Sequence, residues 1–229
     1  MTPVLPCITL DTGANPRHSI IWLHGLGADG EDFVPIAEEM QLPVPVRYIF
    51  PHAPMRPVTI NGGYVMPAWY DILISAGSAE ISASIGKHED AAGIRATQGE
   101  IERLIGQERQ RGIASENILL AGFSQGGAVV LYTGLRHKEK LGGIVALSAY
   151  MPLMQTLQPE AEASARSVPI FMAHGQTDPV IPYAFGQASA KELLRQGYEL
   201  EWHSYDMPHA VCPDEIRDIE SWLTLRLSG

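Results

Sequence analysis

The chain has 229 residues, 45% of them hydrophobic, and 16 Lys and Arg stand against 26 Asp and Glu for a formal charge of −10. That apolar content excludes general disorder, and the acidic balance excludes a nucleic-acid backbone as a general partner, because phosphate binding needs clustered positive charge. Mean hydropathy is close to zero, and no apolar run approaches the ~18–20 residues of a membrane helix. Cys7 and Cys212 sit near opposite ends with no C-x-x-C, which excludes zinc-ribbon and thioredoxin-like readings. They are expected to be free thiols in a reducing compartment. The opening MTPVLPCITLDTG has no basic region followed by an apolar core, so it does not read as a secretory signal, and a cytoplasmic location is expected.

In chain order, Ser19–His24 reads as a buried strand, Glu31–Gln41 as a helix and Val46–Phe50 as another strand. Residues 51–87 look irregular, being rich in Pro, Gly and Ser. Ala91–Arg111 is predicted helical, with Ile94, Ile101, Leu104 and Ile105 on one face. The second half alternates more regularly. Strands are predicted at Asn117–Gly122, Gly143–Leu147, Val168–His174 and Leu200–Tyr205, and helices at Gln125–Arg136, Tyr183–Gln196 and Pro213–Leu227. Short apolar strands alternating with helices predict an α/β fold with a mostly parallel sheet covered on both faces. Ligands in such sheets sit beyond the carboxyl ends of the strands.

Gly122-Phe123-Ser124-Gln125-Gly126 fits G-x-S-x-G between a predicted strand and a predicted helix. A serine on so sharp a turn needs small neighbours, and the turn lifts its hydroxyl to the positive end of the helix. The ordinary alternative is a glycine-rich strand-to-helix turn. A serine hydroxyl needs a base, and the base needs an orienting carboxylate. His203 and His209 are the two histidines beyond residue 174. His203 falls inside a predicted strand, whereas His209 lies in the loop after it, so His209 is the expected base. Asp178 follows the strand Val168–His174 and is the expected acid. Glu160, Glu162 and Glu192 lie away from strand ends, and Asp206 is too close in sequence to His209.

His24-Gly25-Leu26-Gly27-Ala28-Asp29-Gly30 contains a literal G-x-G-x-x-G after a strand, which raises a dinucleotide site. That site expects an acid ~20 residues on for a ribose hydroxyl, yet no Asp or Glu occurs between Met40 and Tyr70. Arg47 could suit a 2′-phosphate, but the better reading is an oxyanion loop, with backbone N–H groups of Leu26 and Gln125 as donors. Cys212 close after His209 lacks an elbow and a downstream acid. No H-E-x-x-H or close His/carboxylate cluster points to a metal. His24 and His174, each before a glycine, read as buried structural residues.

With these motifs in view, the chain resembles the carboxylesterase and acyl-protein thioesterase family of small α/β-hydrolases, the phospholipase/carboxylesterase type. The resemblance runs from Ile20 to about Leu227 through HGLGADG, PHAP, RPVTINGG, MPAWYD, GFSQGGA, HGQTDPVIP and MPHAVCPDEI. It implies a single α/β-hydrolase domain over 1–229 without a large cap, no cofactor and no metal. It also implies a nucleophile at Ser124, an acid at Asp178, a base at His209 and oxyanion donors at Leu26 and Gln125. The implied substrates are carboxylic esters of short to medium chain, with acyl thioesters of proteins as a further class. The implied partners are small acyl substrates, with no nucleic acid and no stable membrane insertion, and the family leaves room for a homodimer. The acyl groove of the family maps to about 66–86, which puts Met66, Trp69, Ile72, Leu73, Ile74, Ile81 and Ile85 forward as substrate-binding. The Ser-, Ala- and Gly-rich segment Ser75–Gly86 departs from the family pattern. The rival functions are a serine peptidase or lactonase on the same fold and a non-catalytic binding protein.

Overall fold

The computed structural model describes residues 5–73, 85 and 87–228. The elements in chain order are β1 (Cys7–Asp11), β2 (His18–Leu23), α1 (Val34–Glu39), β3 (Val46–Pro51), β4 (Met55–Val58), β5 (Tyr64–Pro67) and α2 (Ala91–Gln110). They continue with β6 (Ile118–Phe123), α3 (Gln125–Gly134), β7 (Gly143–Leu147), α4 (Met154–Glu160), β8 (Ile170–Gly175), α5 (Tyr183–Arg195), β9 (Leu200–Tyr205) and α6 (Pro213–Leu227).

Seven strands form one sheet in the order β1-β3-β2-β6-β7-β8-β9. β1 runs antiparallel to β3, with Cys7 opposite Pro51, and the other neighbours pair in parallel. The central strands are nearly continuous apolar runs because both faces are covered. Within β2, Ile21 and Leu23 face one core, while Ile20 and Trp22 face the other. The first core is roofed by apolar side chains of α2, α3, α4 and α5. The second is covered by Phe33, Ala37 and Met40 at α1 and by Ile219, Trp222, Leu223 and Leu227 of α6. The chain is thus a mostly parallel α/β sandwich with no large cap among its described residues.

Three features were not foreseen. β1 is an edge strand whose residues are partly or fully exposed, so its sequence lacks a buried run. β4 and β5 form a small antiparallel hairpin inside the stretch expected to be irregular; its prolines and exposed Tyr64 and Val65 mask the strand pattern. α4 is a short helix interrupted by Pro159. α1 is also shorter than the predicted 31–41: residues 31–33 form a turn, Pro35 sits in the helix's first turn, and Met40 has already returned to extended backbone.

Candidate active site

Ser124 lies on the tight turn between β6 and α3, with φ 54° and ψ −118°. A non-glycine residue there is strained, and it persists because its surroundings hold it. The flanking glycines explain how. A Cβ on Gly122 would meet the Gly126 carbonyl at 2.5 Å, and one on Gly126 would meet the Leu23 carbonyl oxygen at 2.4 Å. Side chains at either position would push the turn off the sheet. The Ser124 amide donates to the Leu147 carbonyl at 2.8 Å, which ties the turn to β7.

His209 Nε2 lies 2.9 Å from Ser124 Oγ, and its Nδ1 lies 2.6 Å from Asp178 Oδ2. These three sequence-predicted residues are therefore brought together from three strand ends. Asp178 is buried, and its Oδ1 accepts the Val180 and Ile181 amides at 2.8 and 2.9 Å. Burial by itself would raise the Asp178 carboxyl, but hydrogen bonds from His174 and His209 outweigh it and hold the group well below the usual carboxylate range. A carboxylate kept ionised in this way fixes His209 with its hydrogen on Nδ1 and its lone pair on Nε2 toward the serine. The Phe123 ring packs on His209 at 4.8 Å between centroids.

The glycine loop after β2 sits against this turn. Among the described residues, the amides of Leu26 and Gln125 donate to no protein group. That leaves both available to an oxygen near Ser124. His24 is buried; its Nε2 accepts the Ala53 amide at 3.1 Å and its Nδ1 lies 2.7 Å from the Gly25 carbonyl. Burial lowers its pKa, so it stays neutral and staples the loop. The Gln125 side chain does a second job: Oε1 accepts the Trp69 amide and Nε2 donates to the Tyr70 carbonyl, both at 2.8 Å. Trp69 Nε1 in turn donates to the His24 carbonyl at 2.8 Å, and Gly27 donates to the Pro67 carbonyl at 2.9 Å. The 66–71 segment is thereby fastened to both the serine turn and the glycine loop.

Ser124 and His209 open onto a largely apolar cavity of about 310 Å³ walled by Leu26, Tyr70, Ile72, Phe123, Tyr150, Val180 and Ile181, with Asp32 also lining it. A far smaller cavity, about 10 Å³, shares Tyr70, Ile72 and Tyr150 and continues to Leu73 and Ile85. Of the residues expected in an acyl groove, Ile72, Leu73 and Ile85 line these spaces. Trp69 does not: it is fully buried and serves the core and the glycine loop. Met66 lies beside the glycine loop, its Sδ 3.8 Å from where a Cβ on Gly27 would sit. Ile74 and Ile81 lie outside the described residues. The sequence reading missed Tyr70, Tyr150, Phe123, Val180 and Ile181. Tyr150 follows β7, so the rule that ligands gather beyond carboxyl ends of strands could have found it. Burial pushes the Tyr70 and Tyr150 phenols well above their ordinary value, and their hydroxyls meet at 3.3 Å. They act as neutral wall.

The phospholipase/carboxylesterase family model matches residues 9–227. The chain belongs to this family. As a phospholipase/carboxylesterase-family member it is a serine hydrolase of carboxylic esters on an α/β-hydrolase fold. Acyl-protein thioesterase 1 of Neurospora crassa is 40% identical over 97% of this chain and 92% of its own length. The protein of that name from Yarrowia lipolytica is 36% identical over 96% of this chain and 97% of its own. Among solved structures, SOBER1 of Arabidopsis thaliana superposes with a TM-score of 0.81 at 31% identity, covering 92% of this chain and 99% of that one. Zea mays acyl-protein thioesterase 2 superposes with a TM-score of 0.80 at 27% identity, covering 97% and 99%. Among the described residues, no helix of this family member is long and apolar enough to cross a membrane.

Proposed function

We propose that this chain is a cytoplasmic carboxylesterase and acyl thioesterase of a single α/β-hydrolase domain, in which Ser124 carries the acyl group. The observation that supports it most directly is the continuous hydrogen-bond chain from Asp178 through His209 to Ser124 at the floor of an apolar cavity. In this reading, Ser124 Oγ attacks the ester carbonyl as His209 Nε2 takes its proton. Asp178 stabilises the imidazolium that forms and does not itself take the proton. Leu26 and Gln125 amides donate to the oxyanion. His209 then protonates the departing alcohol or thiol, leaving an acyl-Ser124. A water attacks that ester while His209 takes its proton, and collapse returns the proton to Ser124 and frees the acid. The names of the relatives favour S-acylated protein as a substrate class, with simple esters of short to medium chain as surrogates. A homodimer belongs to the same reading.

A fluorophosphonate probe tests the chemistry: one equivalent should attach to wild-type protein at Ser124, and label on a different serine would defeat the assignment. The apolar wall has its own test. Each buried methylene contributes about 0.8 kcal/mol, so kcat/KM should climb up to ~4-fold per added CH₂ until the space fills. Leu73→Asp should penalise p-nitrophenyl octanoate and spare the acetate. An equal fall for acetate, butyrate and octanoate would make Leu73 a support of the fold with no part in chain selection.

A further inference from the structure

His174, in β8, has no exposed surface. Its Nε2 lies 2.8 Å from the Ile181 carbonyl oxygen and 3.3 Å from Asp178 Oδ2. Both neighbours only accept. A lone pair on Nε2 would face two oxygens, so the hydrogen must sit on Nε2 and be shared between them. On the other side of the ring, buried Nδ1 has no partner, and a Cβ on Gly186 of α5 would come within 2.3 Å of it. A second proton there would be a buried donor with no acceptor, a costly arrangement. The Tyr183 ring of α5 meets His174 edge-on at 6.0 Å, and the Trp202 ring of β9 lies at 6.3 Å. The carboxylate His174 meets is Asp178.

We propose that His174 is a positioning residue for the acid: a neutral imidazole, protonated on Nε2, that gives Asp178 Oδ2 a second donor and fixes the oxygen to which His209 is bound. The inference rests on the reading of Ser124, His209 and Asp178 as nucleophile, base and acid. The connections close on themselves. Asp178 Oδ1 holds the Ile181 amide, the Ile181 carbonyl holds His174, and His174 reaches back to Asp178 Oδ2. Rotating the carboxyl group would break bonds on both oxygens at once. Neutrality matters as much as reach. A cationic His174 would cancel the charge on which the His209 imidazolium depends during the reaction. Val180 and Ile181 also line the acyl cavity, so the same ring ties the acid to the substrate wall.

Two measurements test this. In wild-type protein, nitrogen-15 correlation NMR near neutral pH should show His174 with its hydrogen on Nε2 alone. Hydrogen on Nδ1 alone, or on both nitrogens, overturns the proposal whether or not any variant folds. The second measurement compares His174→Leu, which removes the donor at similar bulk, with His174→Gln, which can put an amide nitrogen near the Nε2 position. With p-nitrophenyl butyrate, His174→Leu should lose roughly 10- to 100-fold in kcat with KM little changed, the scale of a misplaced catalytic group. Its acid limb of kcat/KM should move to higher pH, because a carboxylate stripped of one donor holds the His209 imidazolium more strongly. His174→Gln should recover most of kcat and the wild-type limb. Wild-type kcat in His174→Leu, or equal losses in both variants with an unmoved limb, reduces His174 to packing. Failure of wild-type protein to label at Ser124 with the fluorophosphonate would instead sink the triad reading beneath it.

Discussion

Ser124, His209 and Asp178 are linked by contacts of 2.9 and 2.6 Å; Ser115, His137 and Glu102 are linked by contacts of 3.5 and 2.7 Å. Both constellations are a hydroxyl, an imidazole and a carboxylate in the right order, and in both the serine is buried. What surrounds them differs. Ser124 has positive φ on a strand-end turn and opens onto the apolar cavity. Ser115 lies on a short 3-10 turn over Ser115–Asn117 between α2 and β6, has no positive φ, and lines neither of the two cavities described above. At 3.5 Å its hydrogen bond stands at the outer limit of the geometry. Glu102 is also only about two-thirds covered, whereas Asp178 is buried and carries two backbone donors as well. A relay of side chains therefore becomes a catalytic candidate only with strain that lifts the hydroxyl out, free amides beside it and room for a substrate.

The contrast is sharpest at the serines. Ser124→Ala should remove fluorophosphonate labelling and lower kcat by about 10⁶-fold, the scale seen when a serine nucleophile is deleted. Ser115→Ala should leave both unchanged, and a comparable loss there would erase the distinction. Next come the acids. Asp178→Asn should cost kcat about 10⁴-fold through loss of imidazole orientation and charge, while Glu102→Gln should stay within about twofold of wild type.

A smaller effect appears in stability against pH. The folded-state carboxyl of Asp178 titrates below its ordinary value of 3.8. Its contribution is thus present above that value and is lost as pH falls through and below it. Asp178→Asn should therefore destabilise the protein more at pH 6 than at pH 3, by about 1 kcal/mol. Urea midpoints at the two pH values would show it, and equal differences at both would mean the carboxylate is not held by its donors. Smallest of all, Glu102→Gln should lower stability by no more than about 1 kcal/mol, as expected for an ion pair whose carboxylate is partly open to solvent.

The second half of the chain was nearly transparent to the sequence. β7, β9 and α6 have their predicted ends, because each is an apolar run or an amphipathic face closed by glycine, proline or a loop. The glycine turn could be read for a steric reason that the structure bears out at Gly122 and Gly126. Ser124, His209 and Asp178 could be singled out because strand ends converge in this kind of sheet. The cavity wall could not be read so well. Trp69 looks like a substrate contact by composition, yet its ring is consumed by the core and its N–H by His24. Tyr70, its neighbour, takes the wall position instead. Which of two adjacent aromatics turns inward depends on the Gln125 amide and the Thr97 hydroxyl that grip their backbone, and these partners come from 28 to 56 residues away.

Gln125 couples two parts that most loops keep separate. Its backbone amide points from the first turn of α3, while its side chain holds the Trp69 amide in a segment that belongs to no strand. Amide exchange is a natural gauge of that coupling, since loop amides ordinarily exchange through local opening. The Trp69 amide should exchange about as slowly as the central strands, because releasing it means breaking into the buried helix behind Ser124. Breathing of the pocket wall is then tied to breathing of the helix that follows Ser124. A substrate that orders one will quiet the other across the 56 residues of chain that separate Trp69 from Gln125.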